Sequence, residues 1–127
     1  MDDIRRVATN TLMRVAGSKA REEKTVLWHG VKIVVRPFLS FGEYLSAVRS
    51  ILDSCCGEDG VPHREVFDIS ARSSIVSAYA LVRLPSSMDD VSYLLFASDL
   101  YDTIISNVCS AQVESILQSV KDILGWR

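Results

Sequence analysis

The sequence has few of the residues from which catalytic and metal sites are usually built. Its 127 residues include two histidines and three cysteines, Cys55, Cys56 and Cys109. Adjacent cysteines do not easily reach one tetrahedral zinc ion together, and no C-x-x-C pair is present. An odd cysteine also remains in any disulfide scheme, so we expect reduced thiols, no metal and no cofactor. Of the three, we expect Cys109 to face the core and to react slowest with a thiol reagent.

Recognisable motifs for catalysis or ion binding are also missing. The chain contains no phosphate-binding glycine loop, no serine nucleophile elbow and no HExxH pair. His29 and His63 fall in predicted turns, where a solvated imidazole is far more common than a catalytic one. The acidic residues Glu58, Asp59, Glu65 and Asp68 lack the spacing of a calcium loop and predict a solvated surface. We therefore predict no catalytic residue and no enzymatic activity.

Long apolar runs are absent, although the chain is rich in apolar residues. None approaches the roughly 18 residues that span a bilayer, so we expect no membrane partner. Asp2 and Asp3, with no continuous apolar segment behind them, argue against a secretory signal or a transit peptide. The hydrophobic content of 48% is high for a small chain and is consistent with an oligomer or a bound partner.

Charge of each sign is unevenly distributed along the chain. Residues 1–36 carry eight Lys or Arg against four Asp or Glu, a balance of +4, whereas residues 37–127 carry six against twelve, a balance of −6. Opposite charges favour contact between the two parts, within one chain or between chains. The basic part has three arginines in its first helix and no interleaved aromatics, which predicts no nucleic-acid binding.

The first 24 residues predict an amphipathic helical arm followed by a polar linker. Residues 2–16 carry one apolar stripe, and Gly17 is expected to end the helix before the linker GSKAREEK. Such an arm can dock on its own body or on a neighbour, and we favour the neighbour. The predicted partner-binding residues are Ile4, Arg5, Arg6, Val7, Leu12, Arg14 and Val15.

Residues 25–127 predict a single helical domain. Residues 25–36 have the alternation of a β-hairpin turning at His29-Gly30. Ser40 and Glu43 form a capping box before a helix that runs to about Cys55, with a buried stripe from Phe41 onward. A central helix over residues 62–83 is bounded by Pro62 and Pro85.

The C-terminal part predicts further helices. Residues 88–108 form either one helix or two helices broken at Ser98-Asp99, and we favour the break. Ser110 is expected to cap the last helix. The fold class is thus mainly α: a compact domain of about five to six helices with one N-terminal β-hairpin and an N-terminal amphipathic helical arm.

From Val26 to Leu124 the order of features resembles a family of small phage and prophage proteins of virion morphogenesis. The features that carry the resemblance are Trp28-His29-Gly30-Val31, Leu39-Ser40 with Glu43, Gly60-Val61-Pro62, Phe67-Asp68, Tyr79-Ala80, Leu84-Pro85, Tyr93, Ser98-Asp99-Leu100 and Gln112. His63 stands where that family is expected to have an acid. The helix over residues 1–16 lies outside the resemblance.

This resemblance implies a non-enzymatic assembly or structural protein of a phage tail or baseplate, located in the virion or the host cytoplasm. Its expected partners are other phage structural or tail proteins, within an oligomer or a larger assembly. The alternative is a tail assembly chaperone that is absent from the mature virion. A small enzyme or a thiol or metal protein is the third candidate.

Overall fold

The computed structural model describes residues 2–19 and 22–126. Six α-helices and one two-stranded sheet lie in these ranges: α1 Asp2–Lys19, β1 Lys24–Trp28, β2 Val31–Val35, α2 Phe41–Cys55, α3 Phe67–Tyr79, α4 Met88–Ser92, α5 Leu100–Ile105 and α6 Ser110–Leu124. The predicted fold class is therefore confirmed. Within the same ranges, no helix combines the length and the apolar character needed to cross a membrane.

The β-hairpin forms as the sequence predicts. Strands β1 and β2 pair antiparallel, with Lys24 opposite Val35 and Trp28 opposite Val31. The two turn residues both have positive φ, 51° at His29 and 76° at Gly30. A two-residue turn with this pair of left-handed conformations matches the right-handed twist of the strands. The side chain of Val31 is nevertheless exposed, so only the Pro37 end of β2 is buried.

Helix α3 is shorter than the predicted helix over residues 62–83. It begins at Phe67, after one 3₁₀ turn over Arg64–Val66, and it ends at Tyr79. Beyond that end, Ala80 forms a β-bridge with Val35, and the N–H of Leu81 donates to the carbonyl of Val34 at 2.9 Å. The free edge of β2 carries backbone N–H and C=O groups that need hydrogen-bond partners. Because Ala80 and Leu81 supply these partners, the helix ends well before Pro85.

The core lies where α2, α3 and α6 meet the buried side of the hairpin. Helix α3 has the largest buried share, seven of its thirteen residues, which agrees with the predicted central position. Val35, Ile51, Ile75, Ile104 and Ile116 are all fully buried. Near the C-terminus, Trp126 packs edge-on against Phe67, with ring centroids 5.4 Å apart.

The capping box of α2 is confirmed, but its predicted buried stripe is partly wrong. Ser40 Oγ accepts from the N–H of Glu43 at 3.2 Å, and Glu43 Oε1 accepts from the N–H of Ser40 at 3.1 Å. Phe41 and Leu45, however, are 75% and 50% exposed. The buried residues of α2 begin only at Ala47, although the Tyr44 hydroxyl already hydrogen-bonds to Ser115 and Ser119 of α6.

The predicted break at Ser98-Asp99 is present. Helix α4 continues into a π-helical turn over Tyr93–Ala97, and α5 starts at Leu100 after the break. Ser98 Oγ donates to the carbonyl of Leu94 and accepts from the N–H of Leu100, which fixes the corner. The predicted cap of the last helix is wrong: Ser110 is the first residue of α6, and Cys109 takes the cap position without a side-chain bond.

Candidate functional site

Helix α1 exposes its apolar stripe to solvent. Every residue from Asp2 to Ser18 is exposed. Its large apolar side chains are mostly accessible to solvent: Ile4 is 72% exposed, Val7 61%, Leu12 71% and Val15 53%. A stripe of this kind normally marks the side of a helix that packs against protein. The residues predicted to bind a partner are thus gathered on one helix, and the body of the same chain leaves them open.

Local interactions explain why α1 is helical and why it is longer than predicted. Asp2 and Asp3 lie in the first turn, where the helix dipole favours negative charge, and Asp3 forms an ion pair with Arg6 at 3.2 Å. The helix passes through Gly17 to Lys19, so the prediction that Gly17 ends it is wrong. A helical glycine costs only about 0.5–1 kcal/mol, and no atom crowds this position. The predicted linker therefore begins inside α1, and its residues 20 and 21 lie outside the described ranges.

The C-terminal end of α1 and the body enclose a cleft of about 540 Å³. We call it the α1 cleft. One wall is formed by Val15 and Ala16 of α1, and the others by Lys24, Pro37, Phe38 and Val108. Most of this lining is apolar, and Lys24 and Glu22 contribute one charge of each sign. The cleft is open to solvent beside the last turns of the apolar stripe.

A second apolar groove, of about 510 Å³, runs between the first turns of α2 and α6. It shares Phe38 and Cys109 with the α1 cleft, so the two form one continuous surface. Phe41 stacks on Tyr44 at its rim, with ring centroids 6.1 Å apart. Sequence reasoning missed this surface because Phe41 was expected to be buried, whereas it is 75% exposed.

Gln112 fixes the floor of this groove. Its side-chain carbonyl accepts from the N–H of Leu39 at 2.8 Å and from the hydroxyl of Tyr79 at 2.7 Å, while its amide donates to the carbonyl of Leu39. Burial raises the pKa of Tyr79, which keeps the hydroxyl protonated as a donor. This network holds the segment that carries Phe38 against α6.

A third groove, lined by serines, separates α2 from α3. It has a volume of about 450 Å³, and Arg36 and Glu43 form an ion pair at its end. Arg36 also donates to the carbonyl of Ala78. Hydrogen bonding to Ser40, chiefly to its backbone N–H, lowers the pKa of Glu43, and the charge of Arg36 adds a smaller effect. The ion pair therefore ties the residue after β2 to the start of α2, while Arg36 Nε is buried without a hydrogen-bond partner among the described residues.

The structure does not gather the cysteines, histidines and acids into a site. In residues 2–19 and 22–126, no three of these side chains are placed to hold a metal ion. The expectation that Cys109 faces the core is wrong: this residue is half-buried in the lining of two cavities, whereas Cys55 is completely buried. Burial raises the pKa of the Cys55 thiol, with the neighbouring Cys56 adding to the effect.

The two histidines contact acids at the surface. His63 Nδ1 lies 3.4 Å from Glu65 Oε1, and His29 Nε2 lies 4.0 Å from Asp99 Oδ1. Asp99 is also the acceptor for the indole N–H of Trp28, at 2.7 Å. The contacts of Trp28 and His29 with Asp99 join the hairpin to the corner before α5, which is a structural role.

Comparisons of the chain with protein families, with curated proteins and with solved structures found no match.

Proposed function

We propose that this chain is a non-enzymatic virion-assembly or structural protein of a phage tail or baseplate, and that it acts by binding another protein through α1. One observation carries the proposal: an amphipathic helix of 18 residues presents its entire apolar stripe to solvent.

The energetics of α1 favour a bound state. An isolated helix of this length is marginally stable in water, and most helices in proteins are stabilised by packing of their apolar side. Complete burial of a Val, Leu or Ile side chain stabilises a structure by about 1.5–3 kcal/mol. Ile4, Val7, Leu12 and Val15 all remain available for such burial. Binding of α1 would therefore stabilise the helix and an assembly together.

The phage context of the proposal comes from the resemblance over residues 26–124. An exposed helix attached to a compact body suits a protein that links copies of itself, or links itself to other proteins, in a tail or baseplate. The groove at Phe38 and Phe41 supports the second candidate, a tail assembly chaperone, because its exposed aromatic rim suits the apolar side of a client helix.

The test is a phage genome that carries the substitution Leu12→Asp in this reading frame. Burial of an aspartate in place of Leu12 opposes any packing of the stripe. We expect the yield of complete particles to fall at least about 100-fold. The matched control is Leu27→Asp on β1, since Leu27 is 69% exposed and Leu12 is 71% exposed. A normal particle yield from the Leu12→Asp genome would overturn the proposal.

Composition of purified particles separates the two candidates. A structural component is present in the particle at a fixed copy number that matches the symmetry of a tail or baseplate. A chaperone is required for assembly but is absent from the finished particle. Mass spectrometry of purified particles distinguishes these results, and the genes adjacent to this reading frame test the phage context itself.

A further inference from the structure

We infer that α1 pairs antiparallel with α1 of a second copy of this chain, and that the first turn of each helix enters the α1 cleft of the other copy. The inference rests on the proposed function, because it names the partner of the surface proposed there. Three observations carry it: the symmetry of the apolar stripe, the placement of charges beside it, and the lining of the cleft.

The apolar stripe is complementary to itself in the antiparallel direction. When two copies pair about a twofold axis between residues 9 and 10, Ile4 faces Val15 and Val7 faces Leu12. Ala8 then faces Thr11 at the centre, where small side chains let the two helices approach closely. A twofold interface requires one surface to fit a second copy of itself. The stripe meets this requirement along its whole length.

The charges beside the stripe also favour the antiparallel direction. Asp3 and Arg14 are eleven residues apart, which brings them within about 20° of each other around the helix axis, at opposite ends of the same edge. Antiparallel pairing places Arg14 of each copy near Asp3 of the other, so two opposite-charge contacts form. In parallel pairing Arg14 and Asp3 of the two copies lie at opposite ends of the helix pair, so neither contact forms.

The α1 cleft fits the end of the helix that antiparallel pairing brings to it. Val15 forms one wall of the cleft, so a partner residue facing Val15 enters beside Pro37, Phe38 and Val108. That residue is Ile4 of the second copy, and the lining that receives it is apolar.

The position of the body agrees with this arrangement. Each body is attached at the C-terminal end of α1, and an 18-residue helix is about 27 Å long. Antiparallel pairing therefore places the two bodies at opposite ends of the helix pair. Parallel pairing would bring both bodies to the same end, where they compete for the space around the two clefts.

Disulfide trapping tests the direction of pairing in the full chain. Cys56→Ser and Cys109→Ser remove the two accessible thiols, and buried Cys55 is kept. Ile4→Cys and Val15→Cys are then made separately in this background. We expect a covalent dimer when the two variants are mixed under mild oxidation, and none from either variant alone. A dimer from each variant alone, or no dimer from the mixture, would overturn the inference.

Charge exchange tests the contact between Arg14 and Asp3 by sedimentation. Arg14→Asp turns two attractive contacts into repulsive ones, and we expect the dimer dissociation constant to rise about tenfold. The double variant Asp3→Arg with Arg14→Asp should restore it. The matched control is Arg49→Asp, the same charge change at an exposed position of α2. A double variant that stays as weak as Arg14→Asp, or a control that weakens the dimer equally, would refute the pairing.

The inference and the proposed function fail in different experiments. If the chain sediments as a monomer and forms no disulfide dimer while Leu12→Asp still abolishes particles, α1 binds another protein and self-pairing is wrong. If Leu12→Asp has no effect on particles although the dimer forms, the virion-assembly proposal is wrong and self-pairing stands.

Discussion

At the residue scale, the cysteines show how much depends on contacts that are distant in the sequence. Cys55 and Cys109 both follow helical apolar patterns, yet only Cys55 is completely buried. It lies in the last turn of α2, which packs against α3, whereas Cys109 precedes α6 at the edge of two cavities. The sequence alone does not tell which of the two positions a neighbouring element covers.

We predict that Cys55 reacts slowest of the three thiols with a small alkylating reagent. Its sulfur has no access to solvent, and burial raises the pKa of the thiol, which lowers the fraction of reactive thiolate. Mass spectrometry over a time course measures the three rates in the folded chain. Slower modification of Cys109 than of Cys55 would show that the groove around Phe38 is closed in solution.

Ser40 provides the second prediction at this scale. Its hydroxyl and the carboxylate of Glu43 satisfy two backbone N–H groups at the start of α2. We expect Ser40→Ala to lower the free energy of unfolding by about 1 kcal/mol. Chemical denaturation measures the change, and Ser92→Ala at an exposed position serves as the control. Equal stability of Ser40→Ala and the parent would mean that the capping box contributes nothing.

At the element scale, features that depend on neighbouring residues are predicted better than features that depend on a distant part of the chain. The capping box, the His29-Gly30 turn and the break at Ser98-Asp99 depend on neighbouring residues, and all three are present. The end of α3 depends instead on β2, because Ala80 and Leu81 bond to that strand across more than 40 residues of chain. No periodicity within the helix reveals such a partner.

For α1 the prediction errs in the opposite direction: the helix was expected to end at Gly17, but it continues to Lys19. We predict that Gly17→Ala increases the helix content of α1 and leaves the body unchanged, because Gly17 is helical and an added Cβ meets no atom within 4 Å. The gain for α1 is about 0.5–1 kcal/mol. Backbone chemical shifts of residues 12–19 measure it. Lower helix content in these residues would show that α1 ends before Gly17 in solution.

At the scale of the whole molecule, the many apolar side chains of the sequence fall into two parts. One part forms the core of α2, α3, α6 and the hairpin. The other remains on the surface, on α1 and around Phe38 and Phe41. Periodicity predicted the first part, and the partner-binding role of α1 stays a prediction that its exposed stripe supports. The sequence contains no sign of the α1 cleft, because Lys24, Pro37 and Val108 meet there only through the fold.

Deletion of residues 1–19 tests most directly whether α1 is a connector between proteins. Thermal melting and sedimentation of the truncated and full chains are compared at several concentrations. We predict that the truncated chain stays folded with an unchanged melting temperature at low concentration, and that it sediments as a monomer where the full chain associates. A truncated chain that keeps its association state but melts at a lower temperature would place α1 in the core of its own chain and contradict the account.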